Sequence, residues 1–448
     1  AADRLKLLIR CYLGGGRDKC MMEVAVIADD ITGAADTGIQ FRSAFAPVYL
    51  LDHRRLSFVS FAHAPRVLSV FTGSRALAGA DAHQAVAAAS RALQGWAPRR
   101  FYKKIDSALR GHIGVELEAV MEALAIEVSF IAPAFIEQGR TTRGGIHCIH
   151  GIPVAQTEMG RDPVSPVRDS SLPDWIAGQS RFPVRHIRLD TVEAGTPELA
   201  EAMRRAARCG PCHVTFDATE AVHLDRIAQL AVDRFPGALL CGSAGLALSV
   251  VRALSDQPTA PVSPAETDQK SGRGNFLFIC GSASERLQAQ VGALVGGGQI
   301  GHEVLPPEAL LGGGVADDTG AMERAAGALA ERDVVVQIGP RPQAGAQVDP
   351  QVLLERFADF AVRLARRARP AGLFLSGGDT AAAVLAGLGV QAIHLEREIS
   401  SGLVQGTLIG GPMSAGTVVT KAGAFGREDC LAGLRDELNI VEELRLKP

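Results

Sequence analysis

The sequence lacks the two best-known phosphate signatures. No Gly-x-x-x-x-Gly-Lys-Ser/Thr occurs, which excludes a P-loop protein. No strand pattern runs into Gly-x-Gly-x-x-Gly with an acid about 20 residues later, which weakens a dinucleotide reading. No block of five or more like charges occurs and the net charge is −3, so the chain has little with which to hold nucleic acid or a membrane surface. No apolar run approaches the ~20 residues of a membrane span. Eight cysteines in 448 residues are too few for a disulfide scaffold. Cys209-Gly-Pro-Cys212 has the spacing of a redox dithiol, but it follows a helical pattern and precedes a strand, the reverse of the redox arrangement, and reads as a turn. Cysteines used neither as a disulfide scaffold nor as a redox pair make a cytoplasmic location the expectation, and residues 1–20 show no clean signal-peptide core or cleavage site.

What is present is a globular composition, 47% hydrophobic, at a length that predicts two or three domains of about 150 residues. From Glu23 to about Arg252, short β-branched runs alternate with Ala-rich periodic segments. That pattern predicts a doubly wound sheet. Residues 255–274, with three prolines and no periodicity, read as a linker. Strand–helix alternation is expected to resume at Asn275 and run to the end. The fold class expected is α/β: two domains, each with a largely parallel sheet flanked by helices. Residues 1–21 would be a tail, 22–254 the first domain and 275–448 the second. One section, Pro133 to Pro183, has little periodicity and many Gly, Pro, Arg and His; it reads as a long irregular cover over a site.

Several turns repeat one design. In residues 371–389, AGLFLSGGDTAAAVLAGLG, an apolar strand breaks at Ser376-Gly377-Gly378-Asp379-Thr380 and a helical run follows. Free N–H groups at such a helix start favour an anion of phosphate size. The bland alternative is a turn capped by Asp379 or Thr380. Gly281-Ser282-Ala-Ser284, Gly242-Ser243-Ala-Gly245 and Lys421-Ala-Gly423 follow strands in the same way. Three of the four lie past the linker, and together they suggest a nucleotide cradle.

The first domain carries different chemistry. Asp29 and Asp30 end a strand; paired acids bind Mg²⁺, hold sugar hydroxyls or act as a base, while Asp30 or Thr32 could instead cap the next helix. Arg75 ends a second strand with a guanidinium suited to a carboxylate. A third ends in Lys103, Lys104, Ile105, Asp106, Ser107 and Arg110. Arg140 and Arg143 suit an anion. His147 and His150 raise a metal, but no matching Cys/His pair accompanies them, so no metal ligands are assigned. Cations and carboxylates in one domain and Gly-rich helix starts in the other fit phosphoryl transfer to a small polyhydroxylated acid.

Five segments in order, VIADDITGAADTG, KKIDSALRGHIG, APAFIEQGRTTRGGIHCIHGIPVAQTE, LSGGDTAAAVL and VVTKAGAFG, resemble the four-carbon acid sugar kinase family. The resemblance implies an N-terminal substrate domain, a C-terminal ATP domain and ATP-dependent phosphorylation of the terminal C4 hydroxyl, with Mg²⁺ on the phosphates. It places Asp29 and Asp30 in the acidic turn, Arg75 at the carboxylate position and Lys104, Ile105, Asp106 and Ser107 in the substrate loop; Arg110 and Arg140, read above as cations, are expected to bind the substrate as well. It places Ser282, the Gly377, Gly378, Asp379 and Thr380 turn, and Gly423 at the nucleotide. The base stays open among Asp29, Asp30 and Asp106. Ile136 and Cys148 depart from the proline and aromatic expected there. Asp36-Thr-Gly-Ile-Gln40 resembles the D-threonate members more than the 3-oxo-tetronate or other members of the family. The partners implied are a sugar acid and ATP, with a homodimer left open. The rivals are a nicotinamide-dependent oxidoreductase and a non-catalytic sugar-acid sensor.

Overall fold

The computed structural model of the protein describes residues 22–434 and 437, apart from 163, 256–273, 283, 312–314, 340–348 and 424. The expected tail at 1–21, nearly all of the expected linker and Gly312-Gly313-Gly314, which the sequence suggests as a turn, lie outside the described residues. The chain divides into two compact units, Ala1–Pro264 and Ala265–Pro448.

In the first unit β1 (Val24–Ala28) leads through α1 (Ile31–Gln40) to β2 (Val48–Asp52) and β3 (Val67–Phe71). Then come α2 (Gly79–Gln94), β4 (Arg100–Lys104), α3 (Ile113–Leu124) and β5 (Val128–Ala132). After the section that follows β5, the unit is completed by β9 (Val184–Ile187), α5 (Leu189–Glu193), α6 (Thr196–Ala206), β10 (Cys212–Phe216), α7 (Ala221–Arg234), β11 (Leu239–Gly242) and α8 (Ala244–Ser255). The main strands lie in the order β2-β3-β1-β4-β11-β5-β10-β9, and every ladder among them is parallel. β1, VAVIA, is buried at all five positions, the continuous apolar run expected of a strand covered on both faces. Phe130 of β5 stacks on Phe216 of β10 at 5.3 Å between ring centres, fixing that side of the core.

The section after β5 corrects the expectation of an irregular cover. It holds a small antiparallel sheet of β6 (Arg140–Arg143), β7 (Ile146–Ile149) and β8 (Ile152–Pro153), followed by α4 (Leu172–Ala177). The strands are too short to show a period. Their turns are two residues each, Gly144-Gly145 (φ 59° and 79°) and His150-Gly151 (φ 49° and 80°). Positive φ at both central residues is the geometry that matches the twist of a hairpin.

The second unit runs β12 (Phe276–Cys280), α9 (Glu285–Val295), β13 (Gly301–Leu305), α10 (Pro307–Leu311), α11 (Val315–Glu331), β14 (Val334–Ile338), α12 (Pro350–Ala368), β15 (Gly372–Ser376) and α13 (Gly378–Gly387). The alternation does not continue to the end as expected. β16 (Ala392–Ser400) and β17 (Leu403–Ile409) form a hairpin across Ser401-Gly402, and β17 is antiparallel to β18 (Thr417–Lys421). The order is β13-β14-β12-β15-β18-β17-β16, parallel from β13 through β18.

Both units open with the same strand arrangement. The chain moves from β1 to one side and then returns to lay β4 on the other, and it does the same from β12 to β15. Such a reversal leaves a crevice beyond the strands' carboxyl ends, where ligands bind in open α/β sheets. Asp29, Asp30 and the Lys104–Ser107 loop follow β1 and β4. Gly281, Ser282 and the Gly377–Thr380 turn follow β12 and β15.

Candidate active site

In the first unit Arg75 is the hub. Its Nε donates to Asp29 Oδ2 at 2.7 Å, Nη1 lies 3.1 Å from Asp30 Oδ2, and Nη2 lies 3.7 Å from Asp106 Oδ1. Three loops far apart in sequence therefore converge on one guanidinium. Asp30 also caps α1, accepting from Gly33 N at 2.7 Å and from Thr32 Oγ1 at 3.0 Å. The capping alternative for Asp30 is thus real, and coexists with its ion pair. Asp106 is gripped by Arg110 through both oxygens, at 2.9 and 3.1 Å. Asp29 differs from both: its Oδ1 is buried and makes no hydrogen bond. A buried acceptor without a partner is rare enough to mark a place for a ligand.

The cations around these acids are equally distinct. Lys103 is fully buried and paired with Glu116 at 2.6 Å, so it is structural. Lys104 is also buried, but its Nζ donates to Ile105 O at 2.7 Å and, among the described residues, has no carboxylate within ion-pair distance. Ile105 contributes backbone only, its N–H going to Gly242 O at 3.0 Å and its side chain being buried. Ser107 and Arg140 lie in the same neighbourhood; Arg140 is near enough to feel the charges of Asp106 and Arg110, and burial lowers its pKa.

Burial pushes the Asp29 carboxyl up, but Arg75, Lys103 and Lys104 outweigh it and hold the group below the ordinary 3.8. Burial likewise opposes ionisation of Asp106, and Arg110, Arg75 and Lys104 reverse it, leaving that acid well below its usual range. Both folded-state values are depressed, so the stability these pairs contribute is present above the ordinary pKa and is lost as pH falls through the depressed one. Arg75→Met should therefore cost ~3–5 kcal/mol at neutral pH, because it strands ionised carboxylates. The gap from wild type should narrow below about pH 4, where the acids of the variant protonate. Thermal melts from pH 7 to pH 3 measure both.

The second unit brings the turns at the ends of β12, β15 and β18 together. α13 begins at Gly378, three residues before the helical run is evident in the sequence, and its N-cap is Gly377 at φ 96° with no side-chain cap. The residue in the N-cap position is thus Gly377 rather than Asp379 or Thr380. Its first N–H groups keep their partial positive charge for a ligand. Asp379 is exposed in the first turn, while Thr380 is buried against Gly281. A Cβ on Gly281 would lie 2.8 Å from Thr380 Cγ2 and 3.0 Å from Thr380 Cβ. A Cβ on Gly423 would lie 2.8 Å from Ser282 Oγ. Ser282 thus sits between the Gly377 and Gly423 turns, and Ser284 is the residue that caps α9, accepting from Leu287 N. The fourth turn, Gly242-Ser243, belongs to the first unit and is packed inside it, with Ser243 Oγ donating to Ala134 O at 2.8 Å.

Two residues escaped the sequence assignment of sites. Ser376 is fully buried with its hydroxyl unpartnered, directly before the Gly377 turn. Lys421, in register with it on β18, is buried and turns its Nζ onto the carbonyls of Ala422 and Gly423 at 3.0 and 3.2 Å. Burial brings its pKa down to about 8. The signal for both was available: each is the last residue of a strand entering a Gly-rich turn. Lys421→Met should loosen that turn and raise the KM for nucleotide more than for the other substrate, which initial-rate kinetics will read.

Residues 24–250 match the family described as a sugar-binding N-terminal domain, and residues 277–431 the one described as a nucleotide-binding C-terminal domain. A D-threonate kinase of Salmonella typhimurium is 31% identical over 94% of this chain and 99% of its own length.

The chain belongs to the four-carbon acid sugar kinase family.

It is a carbohydrate kinase, which sets aside the oxidoreductase and the sensor. Other family members similar to it include a D-erythronate kinase of Heliobacterium modesticaldum, 30% identical over 93% of this chain and 97% of that one. A 3-oxo-tetronate kinase of Brucella melitensis is 28% identical over 91% and 94%. A solved structure described as a putative tRNA synthase from Salmonella typhimurium LT2 has the same fold, with a TM-score of 0.76 at 21% identity, covering 93% of this chain and all of that one. Among the described residues no helix of this kinase is long and apolar enough to cross a membrane.

Proposed function

We propose that this kinase transfers the γ-phosphoryl group of ATP to the C4 hydroxyl of a four-carbon sugar acid, D-threonate foremost, giving the 4-phosphate ester and ADP. The observation that carries the reading is Asp29: a buried carboxylate with one oxygen held by Arg75 and the other without a partner. That oxygen is the acceptor for the hydroxyl proton as the O4–Pγ bond forms and the bond from Pγ to the β,γ-bridging oxygen breaks. Asp30 is committed to α1 and Asp106 to Arg110, which leaves Asp29 as the base. A base held below the usual carboxylate range is weak, but phosphoryl transfer asks mainly for positioning and charge stabilisation.

Lys104 is the cation for the acid's carboxylate, with Arg140, which feels the charge of Asp106, as a second cation of the site. Arg75, expected from the sequence to grip that carboxylate, is the keystone that holds Asp29, Asp30 and Asp106 in place. The phosphates take the start of α13, whose N-cap is a glycine, with Ser282, Gly378, Thr380 and Gly423 around them. Asp379, exposed beside that turn, would repel a bare triphosphate, and a divalent cation such as Mg²⁺ fits there because it satisfies both. Bound there, the ion would neutralise charge on the phosphates. D-threonate is favoured over the erythronates and 3-oxo acids by the Asp36–Gln40 resemblance and by similarity to D-threonate kinases at 31% and 32% identity.

The test is ADP release with Mg²⁺ and each of D-threonate, L-threonate, D- and L-erythronate and the 3-oxo acids. The expected result is the highest kcat/KM with D-threonate and no turnover in excess EDTA. A higher kcat/KM for another acid of the panel would displace D-threonate.

A further inference from the structure

His147 was singled out in the sequence as a metal candidate, and the catalytic reading leaves it without a task. It is fully buried in β7. Its Nε2 lies 2.8 Å from Ser107 O, and its Nδ1 lies 2.9 Å from Thr142 Oγ1. A carbonyl oxygen only accepts, so Nε2 carries the proton and Nδ1 accepts from the threonine hydroxyl. Burial keeps the ring neutral, with its pKa down to about 4. Both nitrogens are spent, and a metal would have to break one of these bonds.

The bond to Ser107 reaches the middle of the substrate loop, one residue from Asp106. The same loop is held elsewhere by side chains of the section after β5. Trp175 Nε1 donates to Leu109 O at 3.0 Å, Gly111 N donates to Ser165 Oγ at 2.6 Å, and Arg110 Nη1 donates to Asp162 Oδ2 at 3.3 Å. The loop needs holding, because Leu109 has φ 62°. A branched residue in the left-handed region persists only where its surroundings over-determine it. The hairpin that carries His147 is itself anchored, with the N–H groups of Gly144 and Gly145 donating to the buried Asp217 at 2.8 and 2.9 Å.

We propose that His147 is a positioning residue for the sugar acid: through Ser107 it sets the conformation of the 104–110 loop that presents Lys104, Asp106 and Ser107 to the substrate. The small β6–β8 sheet is then the frame of the acid site; the departure at Cys148 falls on that frame, and the one at Ile136 in the turn just before it. The proposal rests on the reading that this loop binds the acid.

The experiment compares His147→Ala, His147→Asn and His147→Gln in the full chain. Glutamine can place an N–H near the Nε2 position and reach Ser107 O; asparagine cannot. The alanine and asparagine variants should raise the KM for the sugar acid about 10- to 100-fold, as misplacement of a binding loop does, with the KM for ATP changed less than about twofold. Glutamine should recover most of the loss. Hydrogen exchange over residues 104–110, measured without substrate, should rise in the first two variants and return in the third. Equal changes in both KM values, or exchange over 104–110 unaltered in all three variants, would overturn the assignment. Should the wild type phosphorylate no four-carbon acid, the functional reading fails, while the exchange measurement still decides whether His147 holds the loop.

Discussion

Asp29→Asn should lower kcat by ~10²–10⁴ with the KM for the sugar acid little changed, the range that removal of a positioned base commonly costs. The substitution keeps the shape of the side chain and leaves Arg75 its contacts with Asp30 and Asp106, so the fold should survive. The neighbouring acids make the control. Asp30→Ala removes the cap of α1 and should show mainly in stability, by about 0.5–2 kcal/mol. Asp106→Asn loosens the fork on Arg110 and should show mainly in the KM for the acid. Because Arg75, Lys103 and Lys104 keep Asp29 ionised below the ordinary 3.8, kcat should not fall through loss of this base between pH 7 and pH 5. An Asp29→Asn enzyme within threefold of wild-type kcat would remove the residue from the chemistry.

The second large effect belongs to the nucleotide site. Gly281→Ala should raise the KM for ATP at least about tenfold, which is the 1.4 kcal/mol scale of one misplaced contact, and leave the KM for the acid unaltered. The new methyl would meet the Cγ2 of Thr380 at 2.8 Å and its Cβ at 3.0 Å. Rotation about χ1 does not move Cβ, so the start of α13 itself must shift. Gly423→Ala is the milder partner, because the methyl comes within 3.0 Å only of Ser282 Oγ, a hydroxyl that can swing aside, and Ser282 Cβ lies further off at 3.2 Å. Steady-state kinetics on the pair should therefore rank Gly281→Ala well above Gly423→Ala. The reverse order would mean that Thr380 does not shape the phosphate turn.

Much of this site was legible because α/β sheets deliver ligand-binding residues at strand ends, and strand ends are local in sequence. Asp29, Arg75, Lys104, Ser282 and Gly377 each follow an apolar run that reads as a strand, and each lies where such a reading puts it. Partnerships were not legible. Nothing in the spacing of Asp29, Arg75 and Asp106 says that one guanidinium serves three acids, because that depends on β3, β1 and β4 being neighbours. For the same reason the sequence could not choose the base: Asp29 is set apart by what it does not touch. The β6–β8 sheet was missed because strands of four and two residues carry no measurable period, although Gly144-Gly145 and Gly151 marked its turns. The β16–β17 hairpin was hidden in a similar way, since Ser401-Gly402 is a two-residue turn between strands of nine and seven residues that read as one more alternation.

The central claim is chemical: a γ-phosphoryl group from ATP arrives on the terminal oxygen of a four-carbon acid. ³¹P and ¹³C NMR of the product formed from D-threonate, ATP and Mg²⁺ read it directly. The expected spectrum is that of a phosphomonoester whose phosphorus couples to C4, with one equivalent of ADP formed. Phosphorus coupled to C1 or C2, which an ester at any other oxygen of the acid would show, or ADP formed without an ester, would contradict the account.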